Sequence, residues 1–438
     1  MRKKTLFIFE YVSGGGFNQM EIPSSLFCEG YGMLKSIILD FKKLNLTIST
    51  LLDHRIFFLS SYLKADNIKE TRVEDDYIEL FKAEVKKCDY CFIIAPEFSK
   101  ILYTLTKIVK DYNRKLLSVD LEGIQLGMSK FETYKFFKKN KINTPLTYRI
   151  PFKGKSLDFN FISQKFDEFK SPIIIKPDDG VGAESIYYIE SESQLSKFIH
   201  EHINKLEKDR CYILQEFIEG EDLSISLIAH KELLDKFDKN HLILAINSQN
   251  INIKNQKVKS EYFGGYTPVN DLHIQISSIL EKFDFTKFNG FFGIDFIRKA
   301  DNSIFFIELN PRLTTSYIGV RKILSYNPTD VITNFNFKLV DSEKSPININ
   351  SMFTRLELKY GGTENSEEIK KKIIPILIEK IPELITPPIS FFTSNNEYLR
   401  HYSCFIATKE RNLEASINRM TKIMRTFENF NFKKIKLE

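Results

Sequence analysis

Ile304-Phe305-Phe306-Ile307-Glu308-Leu309-Asn310-Pro311-Arg312 is apolar at most positions and rich in β-branched and aromatic residues until Pro311, so it reads as a strand. A period of two puts Glu308 and Asn310 on one face and Phe305, Ile307 and Leu309 on the other. Just upstream, Phe291-Phe292-Gly293-Ile294-Asp295-Phe296-Ile297-Arg298 is a second apolar strand with a carboxylate, Asp295, inside it. Burying two carboxylates and an amide is costly unless something cationic lies between them. Hard oxygen donors suit Mg²⁺, or Mn²⁺ in its place, held jointly with substrate phosphates. Without metal the two carboxylates would repel each other. Polar residues of an edge strand facing water account for the same letters, and that reading stays open here.

Two earlier segments point toward a nucleotide. Lys176 ends an apolar strand, Pro172 to Lys176, and is followed by Asp178-Asp179-Gly180-Val181-Gly182-Ala183-Glu184-Ser185 before the chain returns to strand at Ile186. This is not a Walker loop: the Gly-Lys-Ser/Thr ending is absent and the loop leads to a strand. A glycine loop between strands can still lay backbone N–H groups at Gly180 and Gly182 over phosphates, with Lys176 as a point charge below. Alone, it is equally a surface hairpin. In Gln215-Glu216-Phe217-Ile218-Glu219-Gly220-Glu221-Asp222 one strand gives way to the next. Such a hinge exposes backbone C=O and N–H groups to an adenine edge, and Asp222 could accept from ribose hydroxyls; alone, it is an acidic turn.

Around these segments, residues 1–122 alternate strand and helix patterns, which argues a parallel sheet with helices on its faces. Glu10, Ser13 and Gly14-Gly15-Gly16 follow the first strand, Asp53 and Arg55 the second and Glu97 the third, at the ends where open α/β sheets bind ligands. Residues 123–330 read as α+β, with a portion at about 145–222 as a subdomain over the nucleotide. A third α+β unit spans 331–438, including a helix at Glu367–Lys380 strained by Pro375 and a final amphipathic helix with Ala415, Ile417, Met420, Ile423, Met424 and Phe427 as its core stripe.

Composition excludes several function classes. The 438 residues suggest about three units at roughly 150 residues per domain. The 63 Lys and Arg against 57 Asp and Glu leave a net +6 without a long basic block, which fits a small anionic ligand and gives no nucleic-acid footprint. The five cysteines are sparse, and Cys88-x-x-Cys91 has no second pair to complete a zinc site, so a reduced, cytoplasmic setting is expected. The apolar run Leu6–Phe9 stops at Glu10, short of a signal segment, and no stretch approaches the roughly 20 apolar residues of a membrane span.

In their order along residues 1–330, these pieces resemble the ATP-grasp superfamily. The resemblance implies a Rossmann-like N-terminal substrate domain, ATP with Mg²⁺, and small-molecule carboxylate and amine substrates; a homo-oligomer is compatible with it. It implies that Lys130, in Met128-Ser129-Lys130, and Lys176 contact the nucleotide phosphates, that main-chain groups of Glu216 and Ile218 hold the adenine and Asp222 the ribose, and that Asp295, Glu308 and Asn310 ligate the metal. Arg312 would meet the transferred phosphate, so that Lys176 and Arg312 are the catalytic pair. Two departures stand out: Ser129 where many members have Asp, and Asp222 where Glu is commoner. Within the superfamily, Phe9-Glu10-Tyr11-Val12-Ser13-Gly14-Gly15-Gly16, Glu29-Gly30-Tyr31-Gly32-Met33-Leu34 and Leu52-Asp53-His54-Arg55 resemble carboxylate–amine ligases of methanofuran biosynthesis, with glutamate and tyramine the leading pair. That places Arg55 as a clamp for a free carboxylate, Glu10 as a partner for an ammonium, and Gly14, Gly15 and Gly16 where backbone approaches substrate. Another acyl-phosphate chemistry, or nucleotide binding without turnover, are the alternatives.

Overall fold

Leu6, Phe7, Ile8 and Phe9 are apolar in succession, the pattern of a strand covered on both faces. In the computed structural model, which describes residues 2–153, 156–180, 186–202, 210–237, 239–252, 261–333, 348–391 and 400–435, this strand is the centre of a parallel five-stranded sheet. Across the sheet the order is Asn67–Thr71, Thr47–Asp53, Thr5–Glu10, Tyr90–Ile94 and Lys115–Leu116. Chain order reverses between Thr5–Glu10 and Tyr90–Ile94, and Glu10 stands beside Ile94 at their carboxyl ends. That is the switch point at which open α/β sheets receive ligands. The edge strand Asn67-Ile68-Lys69-Glu70-Thr71 is too polar to be read as a strand by pattern; pairing with Thr47–Asp53 makes it one.

Two antiparallel sheets follow. The first is ordered Tyr187–Ile189, Ile173–Pro177, Tyr212–Glu216 and Thr147–Arg149, and it has its own hydrophobic core of Ile150, Ile162, Ile173, Ile175 and Leu214 with neighbouring apolar residues. The second is ordered His241–Ser248, Glu221–Ala229, Gly290–Arg298 and Ile304–Asn310, and its apolar face merges with the core under the parallel sheet. The simple alternation expected for Ile304–Asn310 is broken by a bulge. Asp295 pairs with Glu308 but Phe296 with Phe306, so Ile307 is an extra residue. Phe306 and Leu309 therefore face the core, while Ile307 and Glu308 both face a cavity.

The unit expected from residue 331 onward does not stand apart. Ser351–Tyr360, His401–Ala407 and Leu384–Ile389 form an antiparallel sheet whose other edge strand, Gly264–Thr267, comes from the middle of the chain, and Phe432–Lys434 also pairs with Ser351–Tyr360. Pro387 and Pro388 hide Leu384–Ile389 from sequence reading, and the strand sits at a sheet edge where prolines are tolerated. The Pro375 strain is met by a π-helical turn, Ile369–Ile373, just before the helix resumes at Ile374–Lys380. In Leu413–Asn429 the buried stripe is Ser416, Met420, Ile423 and Phe427; Ile417 is exposed. No helix among the described residues is long and apolar enough to cross a membrane.

The helix Ser24–Phe41 ties these layers together. It packs on the parallel sheet, and the Thr386 hydroxyl donates to Cys28 O at 2.8 Å while Lys35 Nζ donates to Ile385 O at 3.1 Å. At its other end Asp40, 1% exposed, accepts from Tyr317 Oη at 2.7 Å and from Arg321 Nε and Nη2 at 2.7 and 2.8 Å. Burial alone would raise the Asp40 carboxyl, but Arg321, Lys43 and Tyr317 together hold it below its ordinary value. The unfolded chain therefore takes up that proton at higher pH than the folded protein, and the pair's contribution is full above the ordinary carboxylate value of about 4 and lost as pH falls below it. Asp40→Asn should cost roughly 3 kcal/mol at pH 7. Urea midpoints for the two proteins should converge as pH drops toward 3, and a gap independent of pH would show that the charge is not what holds the helix.

Candidate active site

A cavity of about 490 Å³ opens where the switch point of the parallel sheet meets both antiparallel sheets. Each layer contributes strand ends or a helix start. Lys130 begins the helix Lys130–Lys139, whose cap Ser129 accepts from the Glu132 amide at 3.1 Å. Its Nζ donates to Gly180 O at 2.6 Å and lies 2.8 Å from Glu308 Oε2. Lys176 reaches the cavity from Ile173–Pro177 and is 6% exposed. Across from them Asp295 accepts from Asn310 Nδ2 at 3.0 Å and from Gln249 Nε2 at 3.1 Å. Arg312 Nε stands 3.0 Å from Glu97 Oε1, at an angle that makes a charge contact without a hydrogen bond. Asp178 accepts from Ser129 Oγ at 2.9 Å, from the Phe131 amide at 2.8 Å and from Arg149 Nη2 at 3.1 Å. Asp178, just past the strand Ile173–Pro177, thus sets a carboxylate at the start of the Lys130–Lys139 helix, where Ser129 gives it a hydroxyl donor.

The charges differ in how the fold treats them. Asp295 and Glu308 face each other in register. Burial first, then the Glu308 charge, pushes the Asp295 carboxyl up to about 7. Burial would raise Glu308 too, but Lys130 and Lys176 pull it down to about 2. Burial lowers Lys176 to about 8 despite Glu308. Asp222 is pushed up to about 6 by burial and by Glu221. The two carboxylates are therefore not an evenly repelling pair: one is ionised against two lysines and the other carries the strain.

Among the described residues no cluster of three or more His, Cys, Asp and Glu side chains could hold a metal by itself. Two carboxylates and the Asn310 amide on adjacent strands, one carboxylate destabilised by the other, do fit a hard divalent ion that completes its shell with phosphate oxygens.

The cavity brings together Lys130, Lys176, Gly180, Glu216, Ile218, Asp222, Asp295, Glu308, Asn310 and Arg312, all singled out from sequence. Gly182 lies outside the described residues. The expected substrate residues fare differently. Arg55 does not line the cavity: its guanidinium is taken up by Asp53 at 2.8 Å and by the carbonyls of Phe17 and Met20 at 2.7 Å each. Asp53, fully buried at its strand end, captures the arginine before it could serve a substrate. Gly14, Gly15 and Gly16 are likewise absent from the lining and shape the turn. Gly15 has φ 102°, and a Cβ there would lie 2.4 Å from Thr71. Glu10 does line the cavity, yet its carboxylate accepts from the Val12 amide at 3.0 Å, the Ser13 amide at 2.7 Å and the Ser13 hydroxyl. It anchors the turn and has little left for an ammonium. Pattern reading missed Glu29, Gln249 and Tyr262, which also line the cavity. The signal for Glu29 was helical spacing: Leu26, Glu29, Gly30 and Met33 share one face of Ser24–Phe41, and all four face the cavity.

Residues 128–316 match the ATP-grasp domain and residues 46–124 the pre ATP-grasp 3 domain. The chain thus carries an ATP-grasp domain behind a pre ATP-grasp domain, and its relatives support an ATP-dependent ligase. Within that class it resembles tyramine–L-glutamate ligase. It is 27% identical to the Methanocaldococcus jannaschii protein over 72% of this chain and 84% of that one, and 28% identical to the Methanocaldococcus fervens protein over 72% and 89%. An L-amino acid ligase from Bacillus licheniformis shares the fold at a TM-score of 0.62, with 12% identity and all of both chains covered. The biotin carboxylase domain of Hydrogenobacter thermophilus 2-oxoglutarate carboxylase, solved with magnesium ADP, shares it at 0.68, with 12% identity over all of this chain and 92% of that one.

The split between the two carboxylates is testable without substrate. A carboxyl raised in the folded state favours folding below its ordinary value, and that contribution is lost as pH rises through about 7. Asp295→Asn should therefore match or exceed wild type in metal-free thermal melts at pH 8, its advantage shrinking toward pH 5. Glu308→Gln leaves two lysines short of a partner and should cost about 1 to 3 kcal/mol under the same conditions. The opposite ranking in EDTA would overturn the assigned charges.

Proposed function

We propose that this chain activates a carboxylate of glutamate as an acyl phosphate and joins it to tyramine, releasing ADP and phosphate. The observation that carries the reading is the convergence of Lys130, Lys176, Arg312 and the Asp295–Glu308–Asn310 set on one cavity formed by three sheets. The choice of glutamate and tyramine rests on the similarity to the two Methanocaldococcus ligases across most of both chains.

A carboxylate is a poor electrophile, so phosphorylation must come first. In the first step a carboxylate oxygen of the amino acid attacks the γ-phosphorus of ATP, and the bond to the ADP oxygen breaks. Lys130 and Lys176 meet the phosphates from two different elements, and Arg312, held by Glu97, faces the phosphoryl group as charge spreads over its oxygens. Main-chain groups of Glu216 and Ile218 take the adenine, and Asp222 a ribose hydroxyl. Asp295, Glu308 and Asn310 would hold Mg²⁺, which would supply neutralising charge to the phosphates. In the second step the amine, freed of one proton of its ammonium form to solvent, attacks the acyl carbon through its nitrogen lone pair, the bond from that carbon to the phosphate oxygen breaks, and the nitrogen gives a second proton to the departing phosphate. Positioning and charge stabilisation do the catalysis, and no serine or cysteine nucleophile is required.

Incubation with ATP, Mg²⁺ and a panel of amino acids crossed with amines, with ADP counted and products weighed by mass spectrometry, tests the pairing: glutamate with tyramine should give the fastest release and a mass equal to both minus water. A faster pair would replace these substrates, and no ADP with any pair would end the ligase reading. Lys176→Met should lower turnover by about a hundredfold or more, the loss of a preorganised charge at the phosphoryl group. Because burial holds Lys176 at about 8, wild-type ATP binding should weaken as pH rises from 7 to 9, and Lys176→Met should flatten that dependence. Calorimetry across pH reads both.

A further inference from the structure

One end of the cavity is not accounted for by nucleotide or metal. There the helix Ser24–Phe41 presents Leu26, Glu29, Gly30 and Met33, at spacings of three, one and three, and Phe17 closes the apolar wall. Glu29 is the ionisable side chain on that face. Its carboxylate accepts from Thr315 Oγ1 at 2.8 Å and has Arg355 Nη1 3.6 Å away. Arg355 arrives from Ser351–Tyr360, outside the segment that matches the ATP-grasp domain. Its guanidinium is 4% exposed and is shared with Glu261 at 2.6 Å and Glu357 at 2.9 Å. One cation thus faces three carboxylates, and the surplus negative charge opens into the cavity at Glu29. Arg312 contributes charge from a distance but is engaged with Glu97. Gly30 serves a different purpose, since a Cβ there would sit 2.6 Å from Glu10 Oε1 and the helix can pass the anchored Glu10 only without a side chain.

We propose that this end of the cavity is the amine subsite, with Glu29 taking the ammonium, Phe17, Leu26 and Met33 covering the hydrocarbon body, and Arg355 fixing the Glu29 carboxylate from behind. The proposal rests on the ligase reading and adds to it which residues choose the amine. A carboxylate with one weak cation contact and one hydroxyl donor has capacity for an ammonium, unlike Glu10, whose oxygens are filled. Burial raises the Glu29 carboxyl, and an arriving ammonium would favour its ionised form. The apolar wall distinguishes the occupant: the α-ammonium of glutamate carries a second carboxylate and a polar chain, whereas an arylalkylamine carries an apolar body that the wall buries. Arg355 is a positioning residue, and it gives the C-terminal sheet a part in the site.

Initial rates of the full chain decide the matter, with tyramine, glutamate and ATP varied in turn. Glu29→Gln should raise the tyramine KM by about tenfold or more, well beyond any change in the KM for glutamate or ATP, as expected for loss of a charge-assisted contact. Arg355→Met should raise the tyramine KM, and Arg355→Lys should recover part of that loss. Inhibition by 4-ethylphenol, which is tyramine without its amino group, gives a readout that does not need the charge: Glu29→Gln should leave its inhibition constant within about threefold, while Leu26→Ala, which keeps every charge, should weaken it several-fold. A rise confined to the glutamate KM would make Glu29 the partner of the amino acid and overturn the assignment, as would an unchanged tyramine KM in Glu29→Gln. If Glu29→Gln fails to fold, an unchanged 4-ethylphenol constant in Leu26→Ala overturns it alone. Wild-type protein that forms no amide from any amine would instead remove the ligase reading, and this proposal with it.

Discussion

Everything around the cavity answers to one electrostatic constraint: two lysines and two carboxylates converge on it, Lys130 and Glu308 2.8 Å apart and Lys176 buried beside them. Taken alone, each would be expensive to bury. Together they balance, and the balance is uneven, since Glu308 is ionised against Lys130 and Lys176 while Asp295 is pushed toward its neutral form. Such an arrangement is poised. Phosphates drawn to the lysines would compete with Glu308 for them, and a divalent cation between the carboxylates would compensate, so nucleotide and metal each make room for the other. The charges that hold the site together are the same ones that the proposed chemistry would use.

No single element could present that set. Lys130 starts a helix, Lys176 ends a strand of a sheet with a core of its own, and Asp295, Glu308 and Asn310 lie on a hairpin whose back is buried in the main core. The bulge at Ile307 supplies the last adjustment by letting Ile307 and Glu308 both face the cavity while Phe306 and Leu309 stay in the core. The helix Ser24–Phe41 then sets the far wall, since the same rod is clamped to the parallel sheet, to Tyr317 and Arg321 through Asp40, and to the C-terminal sheet through Cys28 and Lys35. The C-terminal sheet, completed by a strand from mid-chain, is consequently part of the site's frame and no appendage.

Local patterns determined much of this. The apolar strands, the glycine loop after Lys176 and the carboxylates set into Phe291–Arg298 and Ile304–Asn310 were readable, because periodicity and the cost of burying charge act over a few residues at a time. Their order along the chain carried the resemblance to ATP-grasp proteins, and the nucleotide and metal residues came with it. What the tertiary structure decided were the pairings that no spacing encodes. Arg55 had the right chemistry for a substrate clamp, but Asp53 and two main-chain carbonyls two or three dozen residues upstream claim it. Glu10 looked available until the Ser13 turn closed on it. Glu29 looked like one more helix carboxylate until the fold set it across from Thr315 and Arg355, hundreds of residues away. An isolated sequence tells which groups can donate, accept or carry charge; which of them remain unspent at a cavity depends on partners brought together only when the chain closes, and that is why the charged strand ends were legible while the engagement of Arg55 and Glu10 was not.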